Sequence, residues 1–148
     1  MKLVVFLGLR LRNLNSKRRD KMHTEISELI GKTFVDVKNL DDTELSFIAD
    51  NGDSWVFFHS QDCSESVTIE DVCGDLADLV GTPIVMAEEV SHINENPDGV
   101  EIPEYQDNFT WTFYKFGTIK GFVTVRWYGE SNGYYSESVD IRKVEGEK

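Results

Sequence analysis

The chain has 148 residues, 40% of them hydrophobic, with nine Phe, five Tyr and three Trp and a formal charge of -12. That length suits one domain with one real core, and so many rings argue against a disordered chain. Two cysteines, Cys63 and Cys73, are too few for a disulfide scaffold, no run approaches the roughly 18 apolar residues of a membrane-spanning helix, and a strongly acidic body repels nucleic acid and anionic membranes.

The charge is uneven. Residues 1–21 hold seven basic side chains against Asp20, a sum of +6, so the other 127 residues carry -18. LVVFLGL after Lys2 has the look of a signal peptide, but Arg10 and Arg12 follow directly and no small-residue cleavage site appears. A cytoplasmic location with reduced thiols is therefore expected. Two readings of residues 1–21 stand. Leu3, Leu7, Leu11 and Leu14 share one face of a basic amphipathic helix. Alternatively the segment is an extension ahead of a natural start at Met22, outside the fold. The second is preferred, giving a single domain over 22–143 and a charged tail over 144–148.

From Met22, HTEISELIGKT predicts a short helix with Thr24 as N-cap, Ile26, Leu29 and Ile30 as its apolar stripe and Gly31 as its end. Strands follow at Thr33–Asn39, Thr43–Asp50, Asp53–Ser60 and Ser66–Glu70. DVCGDLADLVG predicts a second helix capped by Asp71 and stopped by Gly81 and Pro83. Ile84–Glu88 reads as a buried strand. Ser91–Asn108, with two Pro and five acids, reads as a long functional or solvated loop. Strands return at Phe109–Phe116, Lys120–Glu130 and Tyr134–Lys143. The expected fold is α+β and mostly β: an antiparallel meander sheet or partly open barrel of about seven strands with one or two short helices.

Asn51-Gly52 and Asn132-Gly133 both signal hairpins. A three-residue loop, Asp50-Asn51-Gly52, pairs Phe47 with Trp55 and Leu45 with Phe57. A loop of Ser131-Asn132-Gly133 pairs Val125 with Val139 and Val123 with Ile141. A loop of Gly117-Thr118-Ile119 sets Phe113 opposite Val123 and Trp111 opposite Val125. One face is then core: Phe109, Trp111, Phe113, Val123, Val125, Trp127, Val139 and Ile141. The other carries Tyr114, Phe122, Arg126, Tyr128, Ser136 and Ser138, a mixed face that suits a half-wet sheet or a pocket floor.

Three constellations could carry chemistry. Arg126, Tyr128, Tyr114, Tyr134, Tyr135 and Ser136 combine rings, hydroxyls and one guanidinium, a workable ligand set. Glu70, Asp71, Asp75 and Asp78 form an acidic surface, with Asp71, Asp75 and Asp78 at helical spacing. It is a solvated face or an imitation of nucleic-acid phosphates that occupies a basic groove. HSQDCSE is the densest reactive stretch. His59, Cys63 and Cys73 are weak metal candidates without a Cys-x-x-Cys knuckle, and His59 with Cys63 is a conceivable nucleophile pair. No catalytic motif, cofactor signature or phosphate-cradling loop is present.

TIEDVCGDLADLVGTPI and WTFYKFGTIKGFVTVRWYGESNGYYSESV resemble an uncharacterised family of small bacteriophage and prophage proteins, a domain of unknown function. The resemblance spans roughly Leu29 to Val139 and rests on an acidic GD-x-x-DL segment and an RWYG-x-SNGYYS-like signature. Many members carry a Cys pair where this chain has Cys63-Ser64, which weakens a thiol or metal role for Cys63. The resemblance implies a small accessory protein in the cytoplasm of an infected or lysogenic bacterium. The expected function is a non-enzymatic binding module, an inhibitor of a host factor whose partner is a protein with a basic surface. Alternatives are a small-molecule or nucleotide binder using the Arg126 face, and a hydrolase using His59 and nearby acids.

Overall fold

The computed structural model describes residues 24–146. The basic segment 1–21, the start at Met22 and the last two residues of the charged tail lie outside the described residues. Eight strands form two four-stranded antiparallel sheets. The first sheet has the order β1-β2-β3-β8, from β1 (Phe34–Leu40), β2 (Glu44–Ala49), β3 (Ser54–Phe58) and β8 (Asp140–Val144). The second has the order β4-β7-β6-β5, from β4 (Ser66–Cys73), β5 (Met86–Ile93), β6 (Asn108–Thr118) and β7 (Gly121–Ser131). Neither sheet closes into a barrel, so the fold is mostly β and antiparallel, as the alternation implies.

The two segments read as helices are single 3-10 turns, Ile26–Leu29 and Leu76–Leu79. The reason is local. Asp71, Val72 and Cys73 pair with Arg126, Val125 and Thr124, so β4 consumes the first turn of the expected helix. Gly74, at φ 109, leaves too few residues before Gly81 for more than one turn. Asp75 caps that turn, its carboxylate accepting from the Ala77 N–H at 2.9 Å. The expected helical stripe of Asp71, Asp75 and Asp78 is thereby divided between a strand and a turn.

The first hairpin has the register that its Asn-Gly loop implies, with Phe47 opposite Trp55 and Leu45 opposite Phe57. Gly52 takes the left-handed position at φ 91. The β6–β7 hairpin differs. Thr118 pairs with Gly121 around a two-residue loop, Ile119-Lys120, so Phe116 faces Val123 and Tyr114 faces Val125. The turn is tied down from outside, because Thr118 Oγ1 donates to the Asp78 carbonyl at 2.5 Å and accepts from the Lys120 N–H at 3.1 Å. One residue of slip reverses every side chain. Tyr114 and Phe116, both fully buried, enter the core, and Phe109, Trp111 and Phe113 turn to the outer face with Arg126 and Tyr128.

The second Asn-Gly bend does not make a hairpin. Gly133 is left-handed at φ 94, but β8 leaves the sheet and pairs with β3, setting Ile141 opposite Phe57. The pairings of Val125 with Val139 and Val123 with Ile141 are therefore absent. The edge of β7 that β8 would need is already occupied by β4. The sheets meet through a cluster of rings. Phe47 lies 4.9 Å from Phe116, and Phe57 lies 4.9 Å from Tyr114 in an edge-on contact. Burying these rings and their aliphatic neighbours is the main driving force of the fold.

Candidate functional site

On the outer face of the second sheet, β6 and β7 set Trp111 beside Tyr128 (ring centroids 4.4 Å apart), with the Arg126 guanidinium 5.8 Å from the Trp111 ring. Trp111 is nevertheless buried, because the 94–107 loop covers it. Asn94, at φ 54, closes the base of the loop; its side-chain oxygen accepts from the Phe109 N–H at 2.9 Å. Asn96 and Gln106 exchange two amide hydrogen bonds, of 2.9 and 3.0 Å. The Trp111 indole N–H donates to Asn96 Oδ1 at 2.9 Å, and Gln106 donates to the Tyr128 hydroxyl at 3.0 Å. Tyr128 donates in turn to Glu130 at 2.8 Å. Burial and Glu130 raise the Tyr128 hydroxyl to about 12, against an opposing pull from the Gln106 amide.

Of the six ligand candidates, the structure brings Arg126 and Tyr128 together and separates Tyr114, which points into the core. Tyr134, Tyr135 and Ser136 lie on the segment that carries the chain from β7 to β8. Tyr134 is 83% exposed and meets Tyr135 edge-on at 5.0 Å. Tyr135 bonds to Cys63, which raises its hydroxyl. Ser136 Oγ lies 2.8 Å from Ser138 Oγ. Arg126 is already paired. Its Nε donates to Glu70 at 2.6 Å and its Nη2 to Asp71 at 3.4 Å. A bulge between Ile69 and Asp71 lets two successive acids reach one guanidinium. Half of the acidic surface expected at Glu70, Asp71, Asp75 and Asp78 is thus matched to the expected ligand arginine.

The HSQDCSE stretch folds into a tight knot after β3. The side chains of Glu65 and His59 are 0% and 4% exposed, and Glu65 Oε2 lies 2.7 Å from His59 Nε2. Glu65 also accepts the Asp62 and Cys63 N–H groups, at 2.7 and 2.8 Å. Burial alone would raise this carboxyl; the His59 contact and the N–H donors outweigh it and bring Glu65 to about 2. His59 Nδ1 faces the Ser138 carbonyl at 2.7 Å. Both ring nitrogens of His59 are thereby engaged, one by the Ser138 carbonyl and one by the Glu65 carboxylate. Neither nitrogen is left to serve Cys63 or a metal. Cys73 ends β4 and Cys63 precedes it, so seven strand steps alone put Cys73 roughly 23 Å beyond Ser66. Among the described residues no group of three His, Cys, Asp or Glu is placed to hold a metal ion.

Two concavities escape sequence reasoning because they join distant segments. A recess of about 270 Å³ gathers Thr24, Glu25, Glu89 and Asp140. Burial and Glu25 raise the Glu89 carboxyl, while its bond to Tyr114 opposes them. Tyr114 is driven well above the usual range by burial, Glu89 and Asp140. A cleft of about 340 Å³ lies at the seam of the sheets, between the start of β2, the end of β3 and the start of β4. Only its His59–Glu65 wall was signalled in the sequence, by the density of polar residues there.

No helix among the described residues is long and apolar enough to cross a membrane. No curated protein and no solved structure matches the chain. The family described as a domain of unknown function, DUF7448, matches residues 27–141, from the first 3-10 turn into β8 and so across both sheets and the seam cleft. The chain belongs to the DUF7448 family.

Proposed function

We propose that this protein is a non-enzymatic binding module that recognises a protein with a basic surface, as a small accessory protein of phage type in the bacterial cytoplasm, where it would inhibit a host factor. The observation that carries the reading is the unbalanced acidity of the body: residues 22–148 hold 26 acids against eight Lys and Arg. Four of these cations are already engaged. Arg126 serves Glu70 and Asp71, Lys38 pairs with Asp36, Lys143 with Asp53, and Lys120 donates to the Val80 carbonyl. The 94–107 loop contains Glu95, Asp98, Glu101, Glu104 and Asp107 without one Lys or Arg. Its crest exposes Ile102 (58%) and Tyr105 (78%), apolar contacts that a partner could cover. The phage-type context rests on the RWYG-x-SNGYYS-like signature.

The test is capture from bacterial lysate at low and high salt, followed by titration of the captured protein against the full chain. A basic partner should be retained at low salt, and its affinity should fall steeply as salt rises. An affinity that does not change with salt refutes the reading.

A further inference from the structure

The cleft at the sheet seam is a built concavity with unspent polar groups. Its position follows from the topology. The β1–β2 turn is stitched to β4 by the Ile69 N–H, which donates to the Asp42 carbonyl at 2.7 Å, so the start of β2 and the start of β4 stand on two sides of the opening. The His59–Glu65 pair closes the back. Both ring nitrogens of His59 and both carboxylate oxygens of Glu65 are already hydrogen-bonded, so the pair is a rigid wall.

The remaining lining differs. Ser66, Thr68 and Glu44 are among the lining residues, and among the described residues no side-chain partner holds the two hydroxyls or the carboxylate. Phe58 and Val67 supply apolar wall, and no Lys or Arg lines the cleft. At about 340 Å³ the volume sits at the small end of ligand pockets.

We infer that the seam cleft binds a small neutral polyhydroxyl ligand, of the size of a single sugar ring or a cyclic polyol. Two hydroxyls and one carboxylate, set beside apolar carbon, match a molecule that presents alternating O–H groups and C–H faces. The absence of a lining Lys or Arg disfavours phosphates and other anions, because their charge would be desolvated without a matching guanidinium or ammonium. The inference is independent of the basic-partner reading, since the lone acid of the free lining trio is one carboxylate and the ligand is uncharged.

The test is an amide-resolved NMR titration of the full chain with glucose and with myo-inositol, and in separate arms with glucose 6-phosphate and with butylamine. Neutral polyols should shift amides around Thr43–Glu44 and Phe58–Thr68 with Kd roughly millimolar. The Ser66→Ala/Thr68→Val pair should weaken that binding about tenfold or more, since two hydrogen bonds are lost, while amide positions elsewhere stay fixed. Glu44→Gln supplies an independent variant on the opposite wall and should weaken binding likewise. No shift with either polyol up to about 50 mM overturns the inference. So does tighter binding of the phosphate or the amine, or polyol shifts that the variants leave unchanged.

Discussion

Phe116 and Phe113 decide which side of β6 faces the core. Phe116 is fully buried, with Phe47 at 4.9 Å, Phe57 at 5.7 Å and Tyr114 at 6.5 Å. Truncation to Ala removes about 2–3 kcal/mol of apolar transfer energy. It also opens a cavity between two sheets whose other rings are held by their own strands, which brings the cost of Phe116→Ala to about 3–5 kcal/mol. That is a large share of the roughly 5–15 kcal/mol available to a domain of this kind. Phe113 is half-buried on the outer face, with the His92 ring as its aromatic neighbour at 5.8 Å. Phe113→Ala should cost about 1 kcal/mol. Urea unfolding at neutral pH measures both, and the melting temperature should fall by roughly 10 °C or more for Phe116→Ala. The opposite ranking, with Phe113→Ala the more damaging, would mean that the β6–β7 loop has three residues, and it would refute the register described above.

Glu65 predicts an acid-side loss of stability. Its folded value of about 2 lies below its ordinary 4.5, so its contribution is complete above pH 4.5 and is lost as pH falls toward 2. Urea midpoints of the wild type should drop across that window, and Glu65→Gln, less stable at neutral pH, should show a visibly flatter profile; equal slopes would remove Glu65 from the account. Asn96→Ala strips the acceptor from the Trp111 indole and from Gln106. The expected cost is about 1–2 kcal/mol, because water can reach part of the opened loop. It should be local: amide exchange should accelerate over 94–107 and leave β2, β3 and β7 protected, whereas uniform acceleration would show that the network supports the whole fold.

The sequence by itself determined a good deal. Alternation places nearly every strand, and the first hairpin is legible to the residue because Leu45, Phe47, Trp55 and Phe57 leave one apolar face to bury around Asn51-Gly52. β6 is different. Its rings at Phe109, Trp111, Phe113, Tyr114 and Phe116 sit on both faces, so periodicity gives no unique answer. The register is chosen by Thr118 reaching Asp78, a contact between segments 40 residues apart. The charge pattern likewise shows an acidic body but not which acids are spent. Only the tertiary structure brings Glu70 and Asp71 to Arg126 and folds the 94–107 loop over Trp111. It also sends β8 to the other sheet, because β4 holds the edge of β7 that a local hairpin would have used. The seam cleft likewise forms where the chain passes from the end of β3 in one sheet to the start of β4 in the other, so it needs both sheets in place.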